Sequence, residues 1–306
     1  MSPRALLGAL RRRWRRYRYA NALSAPYLSG DLFRGMCQAA LDSTDASQSG
    51  FLAGYREARA IFVKTDRLPE FLDEFASRAV ACRVLITGNS DHEIHEVPAG
   101  LPPRLRCWLA QNSFVTGERV RPLPIGLENH RLGRNGVLRH YRGCDTRELA
   151  AKQPRILGAF GPTSPERQAA RARLAGAALV DILPGRLAPR RFQARLRQYR
   201  FVLAPRGNGI DTHRFWEALY ADAIPITRRT PWSAGLRAEG VPFLEVDDWD
   251  ELRSWTDADL ARLSRELPVR PSATPWLWEP FWRARLSSLA ADPPPAGRAA
   301  APRLGE

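Results

Sequence analysis

The stretch "YRFVLAPRGNGIDTHRFWEALYADAIPI" (Tyr199–Ile226) decides the fold. An apolar run, Phe201–Pro205, stops at a Gly-rich turn. A polar cluster, Asp211–Arg214, follows, then a helical pattern, His213–Asp222, and a second apolar run at Ala223–Ile226. Strand, turn, helix and strand in this order make a βαβ unit of a parallel sheet. Ligands of open α/β sheets sit beyond the carboxyl ends of the strands, so the loop after Pro205 is a candidate site. Gly207 and Gly209 permit positive φ and close approach of backbone to a ligand. Asp211 or Thr212 is placed to cap the helix, whose N-terminus offers unpaired N–H groups and a positive dipole end to an anion. Arg214 in the first turn suits a bidentate phosphate contact. Glu217 lies three and four residues beyond Arg214 and His213 and faces the same way, within reach of a pair of ribose hydroxyls. A plainer reading of the same residues has turn glycines, an Arg214–Glu217 surface salt bridge and Trp216 in the core. The loop matches neither GxGxxG nor the Walker pattern.

The alternation extends in both directions. β-rich runs are expected at Tyr27–Phe33, Ala60–Asp66, Arg83–Asn89, Cys107–Ser113 and Val120–Leu127, with a helix at Pro69–Ala79 among them. A polar segment, Glu128–Pro154, places a domain boundary near residue 150. A second series then begins: strand Arg155–Gly161, helix Ser164–Gly176, strand Ala178–Leu183, helix Ala188–Arg200, strand Phe201–Pro205, helix His213–Asp222, and strands Ala223–Arg229 and Val241–Val246. Ser164 before Pro165 and Gly176 at the end are start and stop signals of the first of these helices. The expected organisation is a basic arm over residues 1–20, an α/β domain over 21–150, a second over 151–290 and a Pro/Ala/Gly-rich disordered tail over 291–306.

The chain has 306 residues and a net charge of +15. Arg supplies nearly all of the basic residues, which follows either from a GC-rich coding sequence or from an anionic partner. The four cysteines, Cys37, Cys82, Cys107 and Cys144, form no CxxC pair, and a reducing compartment is the economical reading. No apolar run approaches the ~20 residues that span a bilayer. The segment "RRRWRRYRY" (Arg11–Tyr19) reads equally as an arm for an anionic membrane surface and as a solvated tail.

The 199–226 stretch resembles the C-terminal signature of exostosin-like glycosyltransferases, family 47 and its bacterial relatives. The pattern is carried by Pro205, Gly207, Thr212, Arg214, Glu217, Ala223, Ile224, Pro225 and Ile226. Weaker echoes, "YLSGDLFR", "AIFVKTD", "LITGNSDHEI", "CWLAQNSF", "LPIGLEN" and "ILGAFGPTSPER", extend it over roughly residues 27–250. Asp222-Ala223 departs from it where the family usually has a Gly in the turn. The resemblance implies an α/β GT-B fold, two Rossmann-like domains facing a central cleft. It also implies transfer of a sugar from a nucleotide-sugar donor to a glycan or lipid-linked acceptor in cell-surface polysaccharide synthesis, inverting and metal-independent, with no cofactor beyond the nucleotide-sugar co-substrate.

By the same resemblance Thr212 and Arg214 contact the donor diphosphate, Glu217 holds the ribose, and Gly207, Asn208 and Gly209 shape the loop beside the nucleotide. Thr163 and Arg167, after the first strand of the second domain, offer a second phosphate contact. The acceptor-side base is sought in "TGNSDHEIHE", with Asp91 and His92 foremost and Asp31 and Asp66 as further strand-end carboxylates. Asp248-Trp249-Asp250, formally a DxD, reads as a helix-capping region rather than a metal site. The expected location is cytoplasmic or peripheral on the inner membrane face. Two other readings share these features: a non-catalytic nucleotide-binding protein of the same architecture, and a binder of anionic surfaces or nucleic acid. No recognition motif accompanies the charge, so nucleic acid is not expected.

Overall fold

The computed structural model describes residues 27–42, 54–76, 80–132, 135–137, 140–141, 152–268 and 270–291. The basic arm, Cys144 and the Pro-rich tail lie outside them. The chain forms two parallel sheets of five strands each, as the α/β reading expects. The first contains β1 (Ala39–Leu41), β2 (Ala60–Lys64), β3 (Val84–Gly88), β4 (Cys107–Ala110) and β5 (Val120–Pro122), side by side in chain order. The second contains β6 (Gln153–Gly158), β7 (Val180–Ile182), β8 (Tyr199–Leu203), β9 (Ile224–Arg228) and β10 (Leu244–Val246), in the order β10-β9-β8-β6-β7. The helices are α1 (Gly30–Met36), α2 (Leu68–Ala76), α3 (Pro165–Arg173), α4 (Pro189–Leu196), α5 (His213–Tyr220), α6 (Pro231–Ala238), α7 (Asp257–Glu266) and α8 (Glu279–Ala290).

The strands are continuous apolar runs because both faces of each sheet are covered. Along β2, Ala60 and Phe62 enter one core while Ile61 and Val63 enter the other, the period of two of a pleated strand. The first of these cores does not belong to one half alone. Phe62, Ile86 and Leu109 of the first sheet share it with Phe215, Trp216 and Leu219 of α5, Trp232 of α6 and Trp282 of α8. Helices that follow strands of the second sheet thus cover a face of the first, and the two halves share one apolar interior.

Three sequence expectations are corrected. Tyr27–Phe33 is not a strand: Tyr27 makes an isolated bridge to Trp278, and α1 starts at Gly30 with the Ser29 hydroxyl accepting from Leu32 N. A Ser side chain ahead of Gly-Asp is a stronger local signal than the apolar content around it. The run Val120–Leu127 stays in the sheet only to Pro122, and Gly126 then turns with φ +65° to bridge Ser29. Residues 279–290, counted with the second domain, return to the first: α8 contributes Trp282 and Leu286 to its core, and Arg83 and Arg106 donate to the carbonyl of Ala291 at 2.5 and 2.8 Å.

Two smaller features concern residues singled out in the sequence. Asp248 caps the 3-10 turn Trp249–Arg253, and both Asp248 and Asp250 pair with Arg173. Asp222 takes the left-handed conformation a Gly would otherwise supply, φ +54°, while its Oδ1 accepts from Ser272 N at 3.0 Å. Among the described residues no helix is long and apolar enough to cross a membrane.

Candidate functional site

The two sheets differ in one respect that places the site. The first is laid down strand by strand in one direction and has no point where the order reverses. In the second, the chain leaves β6 toward β7 on one side and returns as β8 on the other. The loops after β6 and β8 therefore diverge and leave a crevice at the carboxyl ends of the strands, the usual ligand position of such sheets. A cavity of about 450 Å³ opens there. Its walls are the loop Ala159–Thr163 with Arg167, the segment Leu183–Leu187 leading into α4, and the loop Gly207–Gly209 with the start of α5. Ile125 and Asp91 close it from the first half.

Local chemistry shapes each wall. Ser164 caps α3 by accepting from Arg167 N, and its hydroxyl donates to the carbonyl of Arg206 at 2.9 Å, tying the two loops together. That turn of α3 aims Arg167 into the cavity, where Nη1 donates to Thr163 Oγ1 at 3.0 Å. From the first turn of α5 comes Arg214, its guanidinium 3.7 Å from the centre of the Phe192 ring. Phe192 holds the plane of Arg214 by cation–π contact. Among the described residues Nε of Arg214 has no hydrogen-bond partner, and Nη1 meets only Glu217 Oε2, at 3.0 Å. Burial, and then the charge of Arg214, pushes the Arg167 guanidinium below its ordinary range. Two guanidiniums thus face one small space. The buried hydroxyl of Thr212, at the N-cap of α5, makes no hydrogen bond among the described residues either and leaves the helix end uncapped by its side chain. Unused donors and converging positive charge at a helix N-terminus form a seat for an anion.

Glu217 sits one turn into α5 and is 4% exposed. Tyr141 of the first half donates to its Oε1 at 3.0 Å, and burial, reinforced by Glu217, pushes the Tyr141 phenol well up, so it remains a donor. The expected surface salt bridge between Arg214 and Glu217 is instead a pair on the cavity wall, Glu217 buried and Arg214 partly buried, while Trp216 is in the core as the plainer reading had it.

The cavity is fastened to the first half at several points. Asp211 is buried. Its Oδ2 accepts from Ile125 N and its Oδ1 from Trp216 Nε1, both at 2.7 Å, and burial pushes its carboxyl up to about 7. Asn112 accepts from Asp211 N at 2.9 Å. Asn208 Nδ2 donates to Asp91 at 3.1 Å, Arg206 pairs with Glu93 at 2.6 Å, and His213 Nδ1 lies 2.8 Å from the carbonyl of Gly126.

All eight residues expected on the donor side, Thr163, Arg167, Gly207, Asn208, Gly209, Thr212, Arg214 and Glu217, line this one cavity. Of the two acceptor-side candidates Asp91 reaches it. His92 does not line it, and its backbone N–H is held by Ser90 Oγ at 3.0 Å. Asp66 is engaged with Ser90 and Lys64. The reason given for the glycines needs correction. Neither Gly207 nor Gly209 has positive φ, and a Cβ on Gly209 would stand 2.7 Å from the Asn112 side chain. Gly209 makes room for the other half of the protein. Sequence reasoning missed Phe160, Phe192, Arg186 and Tyr141 as neighbours of this space; only Phe192, a lone aromatic in the Arg-rich stretch "PRRFQARLR", gave a local signal.

No protein-family model matches the chain, and no curated protein matches it. Among solved structures it is similar to AviGT4, a glycosyltransferase involved in avilamycin A biosynthesis, at 14% identity and a TM-score of 0.38 over 76% of this chain and 84% of that one. It is also similar to an alpha1,3-fucosyltransferase, at 13% identity and a TM-score of 0.39 over 77% and 78%. A third is the glycotransferase of kitacinnamycin, at 12% identity and a TM-score of 0.31 over 76% and 71%.

Proposed function

We propose that the protein is a glycosyltransferase whose cavity at the β6/β8 reversal holds the nucleotide of a nucleotide-sugar donor. The observation that carries this reading is the pair Arg167 and Arg214, which line one cavity together with the unused Thr212 hydroxyl at the start of α5. Their geometry suits a diphosphate, whose charge they neutralise both when bound and when it leaves. Phe160, Leu183, Leu187 and Phe192 give the same cavity an apolar side for a base. Glu217 is placed for ribose hydroxyls, and Asn208, held by Asp91, keeps the loop over the nucleotide. The acceptor is read as a glycan or lipid-linked sugar, and the basic arm as its means of staying near an anionic membrane surface.

The test is a thermal-shift panel of UDP, GDP, CMP and dTDP with their common sugars, on the wild type and on Arg214→Ala. A ligand at a hundred times its dissociation constant stabilises the fold by about 2.7 kcal/mol. A shift with one nucleotide family that the variant loses is the expected result. A wild type that shifts with none of them overturns the donor reading.

A further inference from the structure

His213 is the first residue of α5 and stands between Thr212 and Arg214 on the cavity wall. Its ring meets the first half of the protein, where Nδ1 lies 2.8 Å from the carbonyl oxygen of Gly126. A carbonyl oxygen only accepts, so Nδ1 must carry a proton. In the neutral ring Nε2 then keeps its lone pair. Nε2 makes no hydrogen bond among the described residues. Gly126 is itself fixed by its bridge to Ser29 and its φ of +65°, so the carbonyl that sets the tautomer is held by backbone rather than by a mobile side chain. Asp91, the acceptor-side carboxylate that reaches the cavity, commits an oxygen to Asn208 and is exposed to water.

We propose that His213 is the general base that takes the proton from the acceptor hydroxyl. This rests on the donor reading above. In the step, Nε2 removes the hydroxyl proton as the acceptor oxygen bonds to the anomeric carbon of the donor sugar. The bond from that carbon to the phosphate oxygen breaks, and its electron pair leaves with the nucleoside diphosphate. The proton stays on Nε2. The imidazolium so formed is held by the Gly126 carbonyl and lies beside the leaving diphosphate, whose negative charge grows as it departs, so both charges are stabilised by the same displacement. A single displacement of this kind inverts the anomeric configuration.

Two substitutions separate this role from a structural one. In His213→Asn the amide nitrogen replaces Nδ1 and preserves the contact with Gly126, but no base remains. In His213→Gln that contact is lost. Using the nucleotide-sugar that shifts the wild type in the thermal panel, release of nucleoside diphosphate is followed for all three proteins. His213→Asn is expected to keep the thermal shift and to lose turnover about a hundred- to ten-thousand-fold. Turnover at the wild-type rate in His213→Asn overturns the proposal and leaves His213 as a latch to Gly126. A wild type without any nucleotide shift overturns the donor reading first, and this proposal with it. Independently of turnover, long-range proton–nitrogen NMR on the histidine-labelled wild type, with His213 assigned from the Asn variant, is expected to show the neutral ring protonated at Nδ1. Protonation at Nε2 instead overturns the proposal.

Discussion

Asp211 shows how one residue can serve the fold and the cavity at once. Both of its oxygens accept N–H bonds, one from Ile125 of the first half and one from Trp216 of the helix that follows it. Those bonds favour the carboxylate, and burial opposes it more strongly, so its titration lies at about 7 rather than 3.8. Asp211→Asn puts an amide N–H against a donor and is expected to cost about 1–3 kcal/mol. The pH dependence has a definite sign. Between 3.8 and about 7 the folded state binds this proton and the unfolded state does not, so Asp211's contribution is greatest below 3.8 and is lost as pH rises through about 7. Urea midpoints of wild type and Asp211→Asn across this window should converge as pH rises. A difference that grows with pH would mean the carboxylate is the stabilised form.

Among elements, α5 carries the most. Its first turn faces the cavity, and Phe215, Trp216 and Leu219 are buried in the core shared with the first sheet. The loop that leads into it passes so close to Asn112 that Gly209 has no room for a side chain. Gly209→Ala is expected to destabilise by about 1–3 kcal/mol, because the contact is against a side chain held by two hydrogen bonds. Asn112 has φ +55°, so Asn112→Gly suits the backbone but loses those bonds. In the double variant the clash is gone, and its cost should fall short of the sum of the two single costs. Additive costs in urea denaturation would show that the loop and Asn112 do not touch as described.

For the whole molecule the consequential fact is the shared core. Two sheets that each look like an independent unit are joined by α5, α6 and α8, and Ala291, just after α8, is pinned to the first half through Arg83 and Arg106. Trp282 is fully buried against Phe33 and Trp276, with ring centres 5.2 and 4.7 Å away. Trp282→Ala is expected to cost about 3–5 kcal/mol. The wild type should unfold in one transition, coincident by tryptophan fluorescence and far-UV circular dichroism. Two separated transitions would mean the halves fold independently and the interface is a late, weak contact.

What the sequence determined by itself was local. Apolar runs of strand length with helical spacing between them gave the α/β class. Within 199–226 the order strand, Gly-rich turn, helix placed Thr212 at the helix start and put Glu217 on the face of His213 and Arg214, since residues three and four apart on a helix are neighbours. Ser164 and Pro165 marked α3 for the same kind of reason. Tertiary structure alone decided what those side chains meet. That Arg167 faces Arg214 depends on β8 returning to the far side of β6, a choice of strand order with no local signature. Tyr141 meets Glu217 across 76 positions of chain, and His213 meets Gly126 across 87. The return of α8 to the first sheet is of the same kind: its apolar residues announce a buried face but not which surface buries it. Hydrophobic burial is non-directional, so pattern fixes which face of an element is covered, and only the packed chain fixes what covers it.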